Sequence, residues 1–294
     1  MKKRPFIFAT IILVTIFVVF GGATLLLNNH GPKSFALGSK IGVIDIKGTI
    51  KDSRAVIEDL RDFSDNAAIK AIVLRVDSPG GGVGPSQEIH DEVKRIVEIK
   101  PVIVSMGSVA ASGGYYVAAP ATVIYANPGT ITGSIGVIME FTNVLQLMDK
   151  VGLKSSVVKS GIHKDIGSPM REMTAGEKIL LQSLIDDVYA QFVEAVSNGR
   201  NIPEDKVREL ADGRIFTGRQ GLKLGLVDKL GGLQPAITAA AKMVGIKGKP
   251  NVIYPAKPKI NFVDYFVGQT VTHINDYMVQ QQSSGLKLMW SPAN

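Results

Sequence analysis

Three glycine-rich blocks hold the residues able to do chemistry. The first, Asp77-Ser78-Pro79-Gly80-Gly81-Gly82, follows an apolar run from Ile69 to Val76 and precedes a stretch with helical spacing. A strand-to-helix turn of this composition gathers free backbone N–H groups at the positive end of a helix dipole. It suits a phosphate or an oxyanion hole. Neither a Walker Lys-Ser/Thr nor a complete G-x-G-x-x-G follows, so nucleotide binding is weakly supported, and a tight turn without chemistry stays open. The second block runs from Ser105 to Tyr116 (SMGSVAASGGYY). Ser112 with Gly113 behind it has the outline of an exposed acyl-transfer serine next to a free N–H. Ala110 departs from the G-x-S-x-G elbow, and a serine among small residues is more often packing than nucleophile. The third block is Gly129 to Val137 (GTITGSIGV), followed by Lys159-Ser160-Gly161-Ile162-His163-Lys164-Asp165.

A serine nucleophile needs a base. His90 lies in a helical pattern beside Asp91, and His163 has no obvious orienting acid. A lysine serves only when neutral. Its ordinary pKa of about 10.4 must then fall by roughly 3, at a cost of about 4 kcal/mol supplied by burial and neutral hydrogen bonds. Lys164 is accompanied in its stretch by Lys159 alone among bases. In an extended segment, Asp165 points to the opposite face and does not oppose that fall. Any single lysine is far more often a solvated surface charge.

Composition narrows the alternatives. The 294 residues are 45% hydrophobic and 20% charged, as in a globular chain. Cysteine is absent, which excludes disulfides, iron–sulfur clusters, thiolate zinc and a cysteine nucleophile. Four scattered histidines (His30, His90, His163, His273) argue against an imidazole zinc site, and no metal or cofactor is expected. Of the net charge of +7, five come from Lys2, Lys3, Arg4, Lys33 and Lys40, with no acid before residue 41. The rest of the chain carries only +2, unlike a nucleic-acid-binding domain, which concentrates basic charge on its folded part.

That basic excess flanks Phe6–Leu27, an uncharged run of 22 residues. As a helix it spans about 33 Å, enough to cross a bilayer core. With Lys2-Lys3-Arg4 in front, the positive-inside rule keeps the amino terminus in the cytoplasm and sends the rest outward, as a single-pass plasma-membrane protein. A cleaved signal peptide has a shorter core and a small-residue site close behind. Here the core is longer, and Ser34-Phe35-Ala36 is a weak site.

Strand and helix patterns alternate through the remainder. Strands are expected at 41–46, 69–76, 102–105 and 122–126, with extended segments at 131–139 and 154–159. Helices are expected at 54–64, 85–99, 111–119, 203–211, 218–224 and 233–244. A longer helix, opened by the capping box Thr174-Ala175-Gly176-Glu177, runs to about Ser197. Alternation of this kind implies an α/β domain with right-handed crossovers. The expected organisation is an anchor at 1–28, a linker at 29–40, a catalytic domain at 41–248 and an extension at 249–294, with an amphipathic helix at 261–281.

The blocks D-S-P-G-G-G, S-M-G-x-x-A-A-S-G-G-Y-Y, T-G-S-I-G-V and K-S-G-x-x-K-D, in this order, resemble the bacterial signal peptide peptidases of the signal peptide peptidase A type, in their short form. The resemblance covers residues 41–245, including Phe216-Thr217-Gly218 and Gly225-Leu226-Val227-Asp228. It implies a ClpP/crotonase-like fold of repeated β-β-α units and a serine–lysine peptidase. Ser112 would be the nucleophile and Lys164 the general base. Ser134 would orient the lysine amine. The oxyanion hole would be formed by the N–H groups of Gly113 and Gly81, with Gly80 and Gly82 contacting substrate. It further implies a homo-oligomeric ring or dome, in which Ser and Lys come from one protomer or from two. The implied substrates are apolar peptides such as signal-peptide remnants left in the membrane. Two other readings share these features: a crotonase-type acyl-CoA enzyme, and a membrane-tethered peptide-binding scaffold without catalysis.

Overall fold

The computed structural model describes residues 38–256 and 287–290. From Ser39 onward these belong to one compact unit. The expected anchor at 6–27 and the late helix at 261–281 lie outside the described residues. Among the described residues, no helix is long and apolar enough to cross a membrane.

In chain order the elements are β1 (Lys40–Lys47), α1 (Arg54–Asp65), β2 (Ile69–Ser78), β3 (Gly80–Gly82), α2 (Val83–Val97), β4 (Val102–Ala111), α3 (Gly113–Ala118), β5 (Val123–Ala126), β6 (Ile131–Gly133), α4 (Leu145–Lys150), α5 (Ala175–Arg200), α6 (Glu204–Leu210), β7 (Ile215–Thr217), α7 (Gly218–Lys223), β8 (Lys229–Leu230), α8 (Leu233–Met243), β9 (Asn251–Ile253) and β10 (Lys287–Met289). The main sheet has the order β7-β6-β4-β2-β1-β9, with β5 bridging β4 to β8. Its pairings are parallel except β6 with β7.

The central strands are apolar on both faces because both faces are covered. Along β1, Ile41 and Val43 join a cluster with Val73, Ile103 and Ile237, whereas Ile44 and Ile46 join the larger cluster of Leu60, Leu74, Ile89, Tyr115 and Phe192. Period-two alternation thus sends each strand into two layers, one roofed by α8, the other by α1, α2, α3 and α5. The capping box forms as read: Thr174 Oγ1 accepts from the Glu177 N–H, and Glu177 accepts from the Thr174 N–H at 2.9 Å.

Several elements differ from the sequence expectation. β4 continues past Ser105 to Ala111, through an exposed Ser108 and a half-buried Val109, from whose N–H groups the Asp77 carboxylate accepts, and back to the buried Ala110 and Ala111. The segment expected to extend over 131–139 is a strand only at 131–133, and 154–159 pairs with nothing in the sheet. β2, β3 and α2 make one β-β-α unit, but β4 runs straight into α3, and β7 and β8 each lead singly into a helix. Among the described residues beyond 248 there are two strands: β9 pairs with β1, and β10 lies antiparallel on β3.

Candidate active site

The geometry around Ser112 starts with a bulge. β2 and β4 run in register through Val76 and Met106, and pairing then resumes at Ser78 with Ala110. β4 therefore spends two extra residues over Gly107-Ser108-Val109. The Asp77 carboxylate holds them, accepting from the Ser108 and Val109 N–H groups at 3.0 and 3.1 Å. A side chain at position 107 has no room, since a Cβ there would lie 2.5 Å from the Asp77 carboxyl carbon. Such a bulge re-aims everything downstream of it.

Downstream lies the pairing of Val109, Ala110 and Ala111 with Ile131, Thr132 and Gly133 of β6. The Ser112 N–H continues this ladder, donating to the Gly133 carbonyl at 2.8 Å. Ser134, the residue just after β6, anchors its own N–H on the Arg214 carbonyl at 2.8 Å. The backbone ladder thus sets the two serines side by side, and both line one cleft. Both also have positive φ, 53° at Ser112 and 50° at Ser134. A non-glycine residue there stores strain of about 1–3 kcal/mol. Ser112 is at the head of α3 and 1% exposed, and its Oγ has no hydrogen-bond partner among the described residues.

The glycine turn packs against the start of α3, next to Ser112. Gly80, at φ +102°, cannot be replaced without collision, since its Cβ would fall 2.7 Å from the Gly113 nitrogen. Gly81 is packed against Ile50, whose carbonyl oxygen a Cβ would meet at 2.1 Å. Gly82 ends the strand and caps α2. Gly80 thus lies against Gly113, the residue after Ser112, while the neighbour of Gly81 is Ile50.

The cleft encloses about 510 Å³. Its walls include Val137 and Ile138, Tyr189 on α5, Asp212, and Lys287 and Trp290 from the late strand. Sequence reasoning gave residues beyond 248 no role, and nothing in their pattern announces one. Lys164 does not line this cleft; within one chain its side chain is exposed on a turn that closes through its own N–H to the Gly161 carbonyl.

That turn is firmly held. Asp165 binds Lys159 at 2.5 Å and Arg171 through both carboxylate oxygens, and Arg171 also reaches Glu177 at the start of α5. These hydrogen bonds from Arg171 hold the Asp165 carboxyl well below the usual carboxylate range and lower Glu177 to about 2. The segment is turned rather than extended, so Asp165 is kept from its neighbour by these partners and not by strand alternation. His90 is buried and bonded to Asp91 at 2.9 Å, and burial pushes its pKa below the ordinary histidine value. It lines a different cavity, of about 550 Å³, which Ser112 does not line, so this pair does not complete a triad with Ser112.

Residues 94–247 match the model of peptidase family S49, and residues 35–130 match that of Clp protease. The chain belongs to peptidase family S49. The Synechocystis protein slr0021 is 47% identical over 209 residues, 70% of this chain and 75% of its own length. Serine protease SPPA, chloroplastic, of Arabidopsis thaliana is 33% identical over 230 residues, 77% of this chain and 34% of its own. Protease 4 of Haemophilus influenzae is 35% identical over 218 residues, 70% and 35% respectively. The S49 chain described here thus spans about a third of those two longer relatives. The fold is the ClpP-like α/β arrangement, and the chain is a serine peptidase. No group of three or more metal-ligating side chains occurs among the described residues.

Proposed function

We propose that this chain is a membrane-anchored serine–lysine endopeptidase that cuts extended apolar peptides, such as signal-peptide remnants left in the membrane. One observation carries the reading: the Ser112 hydroxyl is buried, sits on a backbone of positive φ, has no hydrogen-bond partner among the described residues, and shares its cleft with Ser134. A protein tolerates such a group where it has a reaction to perform.

In the mechanism, the neutral Lys164 amine takes the Ser112 proton as Oγ attacks a peptide carbonyl. The Gly81 and Gly113 N–H groups hold the oxyanion. Collapse breaks the C–N bond, and the departing amine takes the proton from the lysine. Water, activated by the same amine, then releases the acyl group. Ser134 orients that amine. Gly80 and Gly82 keep the floor open to a substrate backbone. Because Lys164 is exposed and does not line the Ser112 cleft of its own chain, the lysine comes from a neighbouring copy in a homo-oligomer. Residues 6–27 supply the anchor, with the catalytic part outside the cytoplasm.

Complementation tests this. Ser112→Ala and Lys164→Ala should each abolish peptide hydrolysis while leaving fold and assembly intact. Co-assembly of the two variants should restore activity at sites that pair an intact serine with an intact lysine. Normal activity in either single variant removes the dyad. Two inactive variants that never complement remove the shared site.

A further inference from the structure

Residues 212–214 form a tight turn between α6 and β7, and Asp212 and Gly213 line the cleft of the two serines. Gly213, at φ +87°, lets the chain reverse. The turn offers two backbone groups to the chain around Ser134. The Arg214 carbonyl accepts from the Ser134 N–H at 2.8 Å, and the Gly213 N–H donates to the Ile135 carbonyl at 3.0 Å. Asp212 fixes the shape of the turn, because its Oδ1 accepts from the Arg214 N–H at 3.1 Å. The same device puts a negative charge on the lining of the cleft. An unopposed carboxylate there favours the protonated form of any amine that enters, which is the wrong form for a base.

The Arg214 side chain folds back on that carboxylate. Its Nε donates to Oδ1 at 2.7 Å and its Nη2 to Oδ2, a two-pronged pairing that engages both oxygens. These hydrogen bonds lower the Asp212 carboxyl to about 2, so the carboxylate is charged at every working pH and so is its partner. Among the described residues, the other charged groups lining the cleft are Asp186 on α5, which takes a hydrogen bond from Gln182 at 2.7 Å, and Lys287 on β10. Next to the cleft, Arg208 of α6 lies over the Tyr189 ring at 5.9 Å and pairs with Glu204. Two carboxylates thus stand against one lysine in the lining, and the charges balance only when Arg214 is counted.

We propose that Arg214 is a positioning residue that acts through Asp212: its guanidinium fixes the carboxylate and cancels its charge, so that the amine serving Ser112 is held without its proton. The proposal rests on the serine–lysine reading of the same cleft. Without the guanidinium, Asp212 stabilises the ammonium form, the amine gives up its proton only at higher pH, and the acid limb of the rate profile moves up. A carboxylate within about 4–6 Å raises the titration of an amine by about 1–3 pH units. Asp212 and Arg214 are both half exposed, so water damps the effect to the low end, about one pH unit.

The test is the pH dependence of kcat/KM for a short apolar peptide, measured on the full chain. Arg214→Met should move the acid limb up by about one pH unit, which on the limb is about a tenfold loss of rate. Arg214→Lys, which keeps the charge, should move it less than half as far. Arg214→Met combined with Asp212→Asn should bring the limb back. Loss of a merely structural contact lowers the rate at every pH alike and is not rescued by a second removal. Should Arg214→Met fail to fold, Arg214→Gln takes its place, since it is uncharged and still able to donate a hydrogen bond to Asp212. A limb that stays put in the uncharged variant, or that Asp212→Asn does not bring back, overturns the proposal. Lys164→Ala separates the two readings. If it keeps the wild-type limb, the lysine base falls and the screen with it; if it is inactive and the limb of the uncharged Arg214 variant is unmoved, the screen alone falls.

Discussion

Replacing the Ser112 hydroxyl tests whether its environment was built for chemistry or for stability. The group is buried and has no partner among the described residues, a state that costs about 1–3 kcal/mol relative to a satisfied or absent hydroxyl. Ser112→Ala leaves no polar atom to satisfy, so it should stabilise the fold by about 1 kcal/mol, or roughly 2–4 °C in Tm for a domain of this size. Ser112→Gly also relieves the φ of 53°. Relief of about 1–3 kcal/mol, less about 0.5–1 kcal/mol for glycine's extra chain entropy, gives a further gain near 1 kcal/mol. Both variants should lose hydrolysis about 1000-fold or more. Ser64 supplies the control, since its Oγ is likewise buried and unpartnered but lies outside the cleft. Ser64→Ala should gain similar stability and keep full activity. Denaturant melts and initial rates on the same samples decide the matter. Destabilisation of Ser112→Ala by more than about 1 kcal/mol would show that the hydroxyl has a structural partner, and the argument from its isolation would fall.

The bulge offers a second perturbation. Asp77→Ala removes the acceptor of two backbone N–H groups, should cost about 1–2 kcal/mol, and should lower kcat at least 10-fold by letting Ser112 shift, whereas Asp77→Asn, which keeps an acceptor oxygen, should stay active; wild-type kcat in the alanine variant would show that the bulge does not aim the serine. Acid should loosen the Lys164 turn. Glu177 and Asp165 both titrate below their unfolded values, so the stability that they contribute is present at neutral pH and lost as pH falls, for Glu177 from about 4.5 toward about 2. Cleavage by an acid-active protease within 159–172 should rise over that window, and Arg171→Ala should expose the same sites at neutral pH.

Much of this site was legible because its chemistry is carried by short backbone devices. The strand Ile69–Val76 and the glycine turn after it are local, and each announces itself by β-branched residues or by residues without side chains. Ser112 stood out in its block and Ser134 came from the family resemblance, but their adjacency depends on the Ala111–Gly133 register, which sequence spacing does not encode. β4 was read short because Gly107 and Ser108 look like a turn; they are a bulge pinned by a carboxylate thirty residues upstream. β3 and β10 escaped notice for a different reason. Three glycines carry no hydrophobic period, and their partner lies about two hundred residues away. The Lys164 segment was read as extended, whereas Asp165, Arg171 and Lys159 fold it into a turn through contacts invisible to periodicity.

The two cleft serines take their positions from main-chain hydrogen bonds between β4, β6 and the Arg214 carbonyl, while the enclosing walls include side chains from α5, Val137 and Ile138, and Ala211 and Asp212. Reactive apparatus and recognition surface are consequently built from separate materials. Divergence can redraw what the enzyme accepts, residue by residue along those walls, without retuning the bond-breaking centre beneath them.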